Sequence, residues 1–240
     1  MFQKLLLILF CLSLLLTVNS QESKKSRKVQ QDDKTFITKS LLEHKSSLES
    51  GIYHITQSWA EVSNYKRPVH IQVPQGEGPF PVYIALHGRG GTGKRKLKNF
   101  RRMTDRVVIA PDGYNKGWSQ KRPDVDFIRQ IITSTKKQKN VDSGNIAIHG
   151  SSNGAGLLNR LMIELEEDTF HHGICSIGGL TINRHDSKSF LWDPKGGNSL
   201  QTPIVPAKGR RWLQINGTED QIDSHYAFSH VSNGYNTAWC

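Results

Sequence analysis

The 240-residue chain predicts an α/β fold, a mostly parallel sheet with helices on both faces. Three observations carry this. Phe80-Pro81-Val82-Tyr83-Ile84-Ala85-Leu86 is almost continuously apolar, as a strand covered on both faces should be. Short runs of that kind alternate with segments of helical period, notably one with Leu157, Leu158, Leu161, Met162 and Leu165 on a single stripe. Between such a run and that stripe lies Gly150-Ser151-Ser152-Asn153-Gly154, which fits the G-x-S-x-G pattern of a strand-to-helix corner.

The N-terminal residues are read apart from this domain. Residues 1–20 carry one charge, Lys4, then an apolar stretch from Leu5 to Leu16, with the small residues Val18 and Ser20 at suitable positions for cleavage. This pattern is a secretory signal peptide, and its apolar part is too short to span a bilayer. Cys11 follows Leu9-Phe10, which do not suit a lipoprotein box, so no stable membrane anchor is expected. The chain is therefore expected outside the cell or in a periplasm. The formal charge of +11 falls to +10 once Lys4 is removed, because residues 1–20 hold no acid. Residues 21–48 are polar and basic and read as a linker, with a helix from Lys34 to Leu48 as one reading. The folded domain is expected over 49–240.

Within that domain, Gly51 to Thr56 and Arg67 to Val73 alternate in the manner of half-buried strands and suit an antiparallel hairpin. Pro74 to Pro79 is a turn. The apolar strand over 80–86 runs into a glycine-rich loop, His87 to Lys94. Arg106 to Ala110 reads as a buried strand, ending in Pro111-Asp112-Gly113. Asp124 to Lys139 reads as a helix with Val125, Ile128, Ile131 and Ile132 on one face and lysines at its C-terminal end, where the helix dipole favours them. Asn145 to His149 leads into the corner, and Gly173 to Ile177 is a further strand. Residues 181–206 form a polar excursion. Arg211 to Asn216 is the last clear strand, so the sheet is expected to lack its C-terminal strand and helix. In sheets of this kind ligands bind beyond the carboxyl ends of the strands, which is where the candidate residues fall.

At the corner, Ser152 is the candidate nucleophile. A serine there is held at a strained turn with its hydroxyl above the sheet, and the backbone crosses so closely that residues 150 and 154 are expected to be glycine. The glycine loop has three readings. Gly88-x-Gly90-x-x-Gly93 has dinucleotide-fingerprint spacing, but the basic stretch and Pro111 fit that unit poorly. Gly88 to Lys94 resembles a phosphate loop, but Arg95 stands where a Ser or Thr would be needed for magnesium. The third reading is an oxyanion loop, with the N–H groups of Arg89 and Asn153 as donors, and the later corner decides for it. His87 then braces the loop and is not the base.

An acid is expected after a late strand, and Asp220 is preferred to Glu219; a surface turn aspartate is the plain alternative. Asn216-Gly217-Thr218 is also a glycosylation sequon, expected unmodified because a glycan would crowd that position. The base candidates are His225 and His230, both in a stretch, Ile222 to Val231, of helical appearance; each also suits a helix surface. His171 and His172 are adjacent and do not share a helix face, so no metal is expected, and no cofactor. Cys175 and Cys240 could pair in an exported protein, or Cys175 could be a buried thiol. The clustered cations read as solvated faces and a tail; attraction to anionic polymers is the sharper alternative, and no nucleic-acid motif accompanies them.

Taken in order, His87-Gly88-Arg89-Gly90-Gly91, Ala110-Pro111-Asp112-Gly113, Trp118, Asp124 to Ile128, Gly150 to Gly154 and Gly217-Thr218-Glu219-Asp220 resemble the secreted polyhydroxybutyrate depolymerase and feruloyl-esterase branch of the α/β-hydrolases. The resemblance covers about residues 50–235. It implies an α/β-hydrolase fold, a serine esterase acting on polyesters or on feruloyl or acetyl glycans, Ser152 as nucleophile, Asp220 as acid, and Arg89 and Asn153 as oxyanion donors. The substrate is then an ester, polymeric or anionic. That family carries its histidine in a glycine-rich loop well beyond the acid, where this sequence has no match. The alternative is a hydrolase-fold binding protein without the triad histidine. The sequence is silent on oligomeric state.

Overall fold

The computed structural model describes residues 39–41, 46–57, 64–119, 122–166, 168–177, 211–216 and 236–239. Among these, one mixed sheet organises everything else. Its strands are β1 (Lys39–Ser40), β2 (Gly51–Gln57), β3 (Tyr65–Gln72), β4 (Phe80–Leu86), β5 (Val107–Pro111), β6 (Val141–Ser151), β7 (His172–Ser176), β8 (Arg211–Asn216) and β9 (Asn236–Trp239). They lie in the order β1-β2-β3-β5-β4-β6-β7-β8-β9. β3 runs antiparallel to both β2 and β5, and the other neighbouring pairs are parallel. The antiparallel hairpin read from the sequence is β2 and β3.

Alternation along β4 shows how the sheet is covered. Val82, Ile84 and Leu86 join the large core with Val125, Ile128 and Ile131 of helix α2 (Arg122–Lys136) and Leu157, Leu158 and Leu161 of helix α3 (Asn153–Glu164). Tyr83 and Ala85 face the other way, into a smaller cluster with Leu97 of helix α1 (Gly93–Asn99), Phe100 and Met103. Successive strand residues point to opposite faces, so the near-continuous apolar run serves both layers at once. Each such buried side chain contributes about 1.5–3 kcal/mol relative to exposure.

Several boundaries differ from the sequence reading. Lys39–Ser40 is a strand beside β2, not a helix turn, and Leu41 and Leu48 are buried in the large core, so part of the supposed linker packs onto the domain. Alternation and charge in residues 34–48 gave no sign of this, because two-residue strands have no readable period. Helix α2 ends at Lys136, not Lys139: Gln138 and Val141 turn back through bonds to Thr135 and Gln138. The sheet also continues one strand beyond 211–216. Asn236–Trp239 lies parallel to β8, with Leu213 opposite Asn236 and Asn216 opposite Trp239, which corrects the expected loss of the C-terminal strand. That strand carries two apolar residues in four, too few to be recognised by pattern. No helix of the described residues is long and apolar enough to cross a membrane.

Candidate active site

Strand register builds the site. Leu86 of β4 is paired with Gly150 of β6, side by side and parallel. Two residues further along each chain, Gly88 meets Ser152. A Cβ placed on Gly88 would sit 3.4 Å from Ser152 Cβ and 4.0 Å from its Oγ. On the other side, Ser151 of β6 is opposite Ser176 of β7, and the Ser152 N–H donates to Ser176 O at 2.9 Å.

Ser152 itself has φ +51° and ψ −118°, a left-handed conformation outside the usual wells, and it is exposed. Such a strained residue persists only where the surroundings hold it. They do so through two glycines. A Cβ on Gly150 would lie 2.4 Å from Gly154 O, and one on Gly154 would lie 2.6 Å from His87 O and 2.8 Å from Leu86 O. The strand-to-helix corner therefore closes only with hydrogen at both positions. Ser152 is also the N-cap of α3, and Asn153, as the first helical residue, has an N–H with no intrahelical acceptor. Among the described residues, no hydrogen bond takes the N–H of Arg89 or of Asn153.

The glycine loop does not lead into a long helix. Gly91 N–H donates back to Gly88 O at 3.0 Å and Gly90 N–H to Lys116 O at 2.7 Å, after which Thr92 caps the two-turn α1. A dinucleotide fingerprint would open a longer helix at this point.

His87 is buried against Trp118, ring centroids 5.0 Å apart. Its Nε2 accepts from the Gly113 N–H at 2.8 Å. An N–H can only donate, so the ring proton belongs on Nδ1, which lies 2.7 Å from Gly88 O and donates to it. Burial pushes the His87 pKa down, against the opposing pull of that bond to Gly88. Both ring nitrogens are engaged with backbone, and the histidine ties the glycine loop to the turn at 112–113.

A second brace was not foreseen. Arg67 of β3 is fully buried and donates from Nη2 to Asp124 Oδ1 at 2.7 Å and from Nε to Asp112 O at 2.7 Å. Its guanidinium lies over the Phe127 ring at 3.9 Å and the Trp118 ring at 5.1 Å. The other oxygen of Asp124 accepts from Ser119 N and Oγ. Trp118 then reaches both halves of the site. Its indole N–H donates to His87 O at 2.8 Å, its backbone N–H to Asn153 Oδ1 at 2.6 Å, and Asn153 Nδ2 donates to Trp118 O at 3.0 Å. The available signal was an arginine at an inward position of an alternating strand.

Beside the corner, on the α1 face, Lys96 Nζ donates to Ser151 Oγ at 2.6 Å, and His149 Nε2 lies 2.9 Å from Ser176 Oγ and 3.5 Å from Ser151 Oγ. Burial lowers the pKa of Lys96. Burial, then the Lys96 charge, pushes His149 down to about 4.

Of the residues singled out from the sequence, the structure brings Ser152, Asn153 and the Gly88–Arg89 backbone to one edge. Asp220, Glu219, His225, His230 and Cys240 lie outside the described residues. The strand before Asp220, β8, ends at Asn216 on that same edge, level with the end of β9. Cys175 is a buried thiol that donates to Asn159 Oδ1 at 3.0 Å and accepts from Trp212 Nε1 at 3.4 Å. Among the described residues, no three His, Cys, Asp or Glu side chains converge to hold a metal.

No protein-family model matches the chain, and no curated protein matches it in sequence. Solved structures do. The 2,6-dihydroxy-pseudo-oxynicotine hydrolase matches with a TM-score of 0.58 at 14% identity, over 79% of this chain and 60% of its own. Esterase Est2 of the planctomycete Thermogutta terrifontis with butyrate bound matches with a TM-score of 0.54 at 15% identity, over 78% and 81%. An esterase of Rhizomucor miehei matches with a TM-score of 0.54 at 16% identity, over 81% and 75%. The chain thus has the α/β-hydrolase fold, with the strand order and the glycine-flanked corner described above.

Proposed function

We propose that this protein is an exported serine hydrolase that cleaves carboxylic esters through an acyl-enzyme on Ser152. One observation carries the reading: an exposed serine at positive φ on a strand-to-helix corner, with Gly88 of the glycine loop so near that a Cβ added to it would sit 3.4 Å from Ser152 Cβ. Strain at an exposed nucleophile-type residue marks a site that the fold maintains at some cost. The esterase and hydrolase neighbours support the reaction class.

In the proposed mechanism Ser152 Oγ attacks the ester carbonyl and its proton passes to a base, for which His225 and His230 are the candidates, with Asp220 as the orienting acid. The Arg89 and Asn153 N–H groups receive the negative oxygen; each such donor lowers the barrier by about 3 kcal/mol. The alcohol leaves with the proton, and water then releases the acid and restores Ser152. Substrates of the polyester or of the feruloyl- or acetyl-glycan type follow from the resemblance in residues 87–91, 110–113 and 217–220. Export follows from residues 1–20.

A non-catalytic binding protein is the second reading. It is favoured by His87 having both ring nitrogens bound to backbone, so that it has no capacity left for proton transfer. Labelling with a fluorophosphonate separates the two. Thermogutta terrifontis esterase 2 has been seen phosphonylated by sarin, an electrophile of that type. The esterase reading expects label at Ser152, lost in Ser152→Ala, together with turnover of a p-nitrophenyl ester. An unlabelled, folded wild type would establish the binding protein.

A further inference from the structure

Resting on the ester reading, we propose that the site takes its esters from an anionic polysaccharide, whose carboxylates are held by a basic lip built from residues 89–116. Seven of the nine cations in this segment are exposed, while Lys96 is buried, and their row starts beside Ser152. Arg89 directly follows Gly88, where an added Cβ would meet Ser152, and Lys116 is fastened to the same loop by its carbonyl, 2.7 Å from the Gly90 nitrogen. Both side chains are exposed. The underside of α1 is fixed beside the corner by the 2.6 Å bond from Lys96 to Ser151. Its outer face carries exposed Lys94, Arg95 and Lys98, and exposed Arg101 and Arg102 follow at the end away from the corner, where the Arg101 and Met103 carbonyls accept from Gln72 Nε2. A helix is about 10–12 Å across, so this outer face lies within a few sugar units of the corner.

The two acids of the segment do not neutralise it. Asp105 is taken by Arg106 at 2.6 Å, and Asp112 accepts from the Gly93 N–H and faces His70 at 3.6 Å. Among the described residues no carboxylate pairs with any of the seven exposed cations just named. Like charges held together without partners repel one another, and an arriving polyanion relieves that repulsion while being drawn in by it. The row runs along a helix and beyond, longer than a single small ester, which points to a polymer. Membrane and single-stranded nucleic-acid surfaces add exposed apolar or aromatic groups for insertion and stacking. Here Ile177 is the exposed large hydrophobic side chain among the described residues.

The test compares acetylated polygalacturonate with neutral acetylated xylan, for the wild type and a Lys94→Gln, Arg95→Gln, Lys98→Gln variant, with p-nitrophenyl acetate as a small neutral control. The expected result is a loss of about tenfold in kcat/KM on the anionic polymer alone, with the difference between proteins vanishing in about 1 M salt, where charges are screened within about 3 Å. Equal turnover of the anionic polymer by both proteins would overturn the inference. So would tighter binding of duplex DNA or phosphatidylserine vesicles than of polygalacturonate. If the wild type hydrolyses none of the three esters, the ester reading fails by itself. Affinity for deacetylated polygalacturonate, about tenfold weaker in the variant or unchanged, then decides the basic lip separately.

Discussion

Asn153 and Trp118 hold each other by two hydrogen bonds, the Trp118 amide to Asn153 Oδ1 and Asn153 Nδ2 to the Trp118 carbonyl. The residue after Ser152 is thereby fixed to a loop that also binds His87 and is stacked on Arg67. Replacing Asn153 with Ala leaves a buried amide and carbonyl without partners, which costs about 1–3 kcal/mol. The corner also loses its lateral support, and a misplacement of about 1 Å costs on the order of a hundredfold in rate. Denaturant unfolding and steady-state turnover of a small ester should show both losses, with Asn153→Asp intermediate because it keeps the acceptor.

Gly154→Ala should be among the most damaging small substitutions. The added Cβ meets two backbone oxygens, His87 O at 2.6 Å and Leu86 O at 2.8 Å, and neither can rotate away. A destabilisation of about 3 kcal/mol or more is expected. Gly144→Ala, whose Cβ meets Asp142 Oδ1 at 3.4 Å, serves as the control and should change little. Equal melting temperatures for the two variants would show that the corner relaxes more easily than its geometry allows.

The buried pair Arg67–Asp124 gives a third expectation. Arg67→Met strands a carboxylate that is almost wholly buried and should cost about 3–5 kcal/mol. Arg67→Met combined with Asp124→Leu should recover a large part of that, since removing both charges costs less than leaving one. A double-mutant cycle by urea unfolding measures the difference; a sum of the two single losses would refute the coupling.

Acid should weaken the fold through His149. Its pKa is depressed to about 4 in the folded chain, against about 6.5 for an unperturbed histidine. The unfolded chain therefore binds a proton that the folded chain refuses, and stability falls as pH drops from about 6.5 to about 4, by an amount on the order of 2–3 kcal/mol. Above about 6.5 the contribution is flat. Melting curves at pH 7 and 4.5 should show this loss in the wild type and a smaller one in His149→Phe, which keeps the ring packing against Tyr83 and Phe100.

Much of this architecture was legible because the driving signals are local and repetitive. The apolar run at 80–86, the stripe from Leu157 to Leu165 and the glycines at 150 and 154 each state a local requirement, and each appears where the pattern put it. The short strands at 39–40 and 236–239 exist through pairing with a neighbour, and their own residues say little. The Arg67–Asp124–Trp118 brace joins residues from β3, α2 and the loop between β5 and α2, so no window of sequence contains it. Seeing that His87 is spent on backbone likewise required the turn at 113 to be brought beside it.

The pairing of Leu86 with Gly150 also bears on how the molecule comes to be. Gly88 and Ser152 are far apart along the chain and become neighbours only when β4 and β6 dock in register. Such non-local docking is slow compared with the formation of helices and hairpins. During refolding, helix content and the β2–β3 hairpin should therefore appear first, with reactivity towards a fluorophosphonate emerging later. A nascent chain still lacking β6 would be inert towards it.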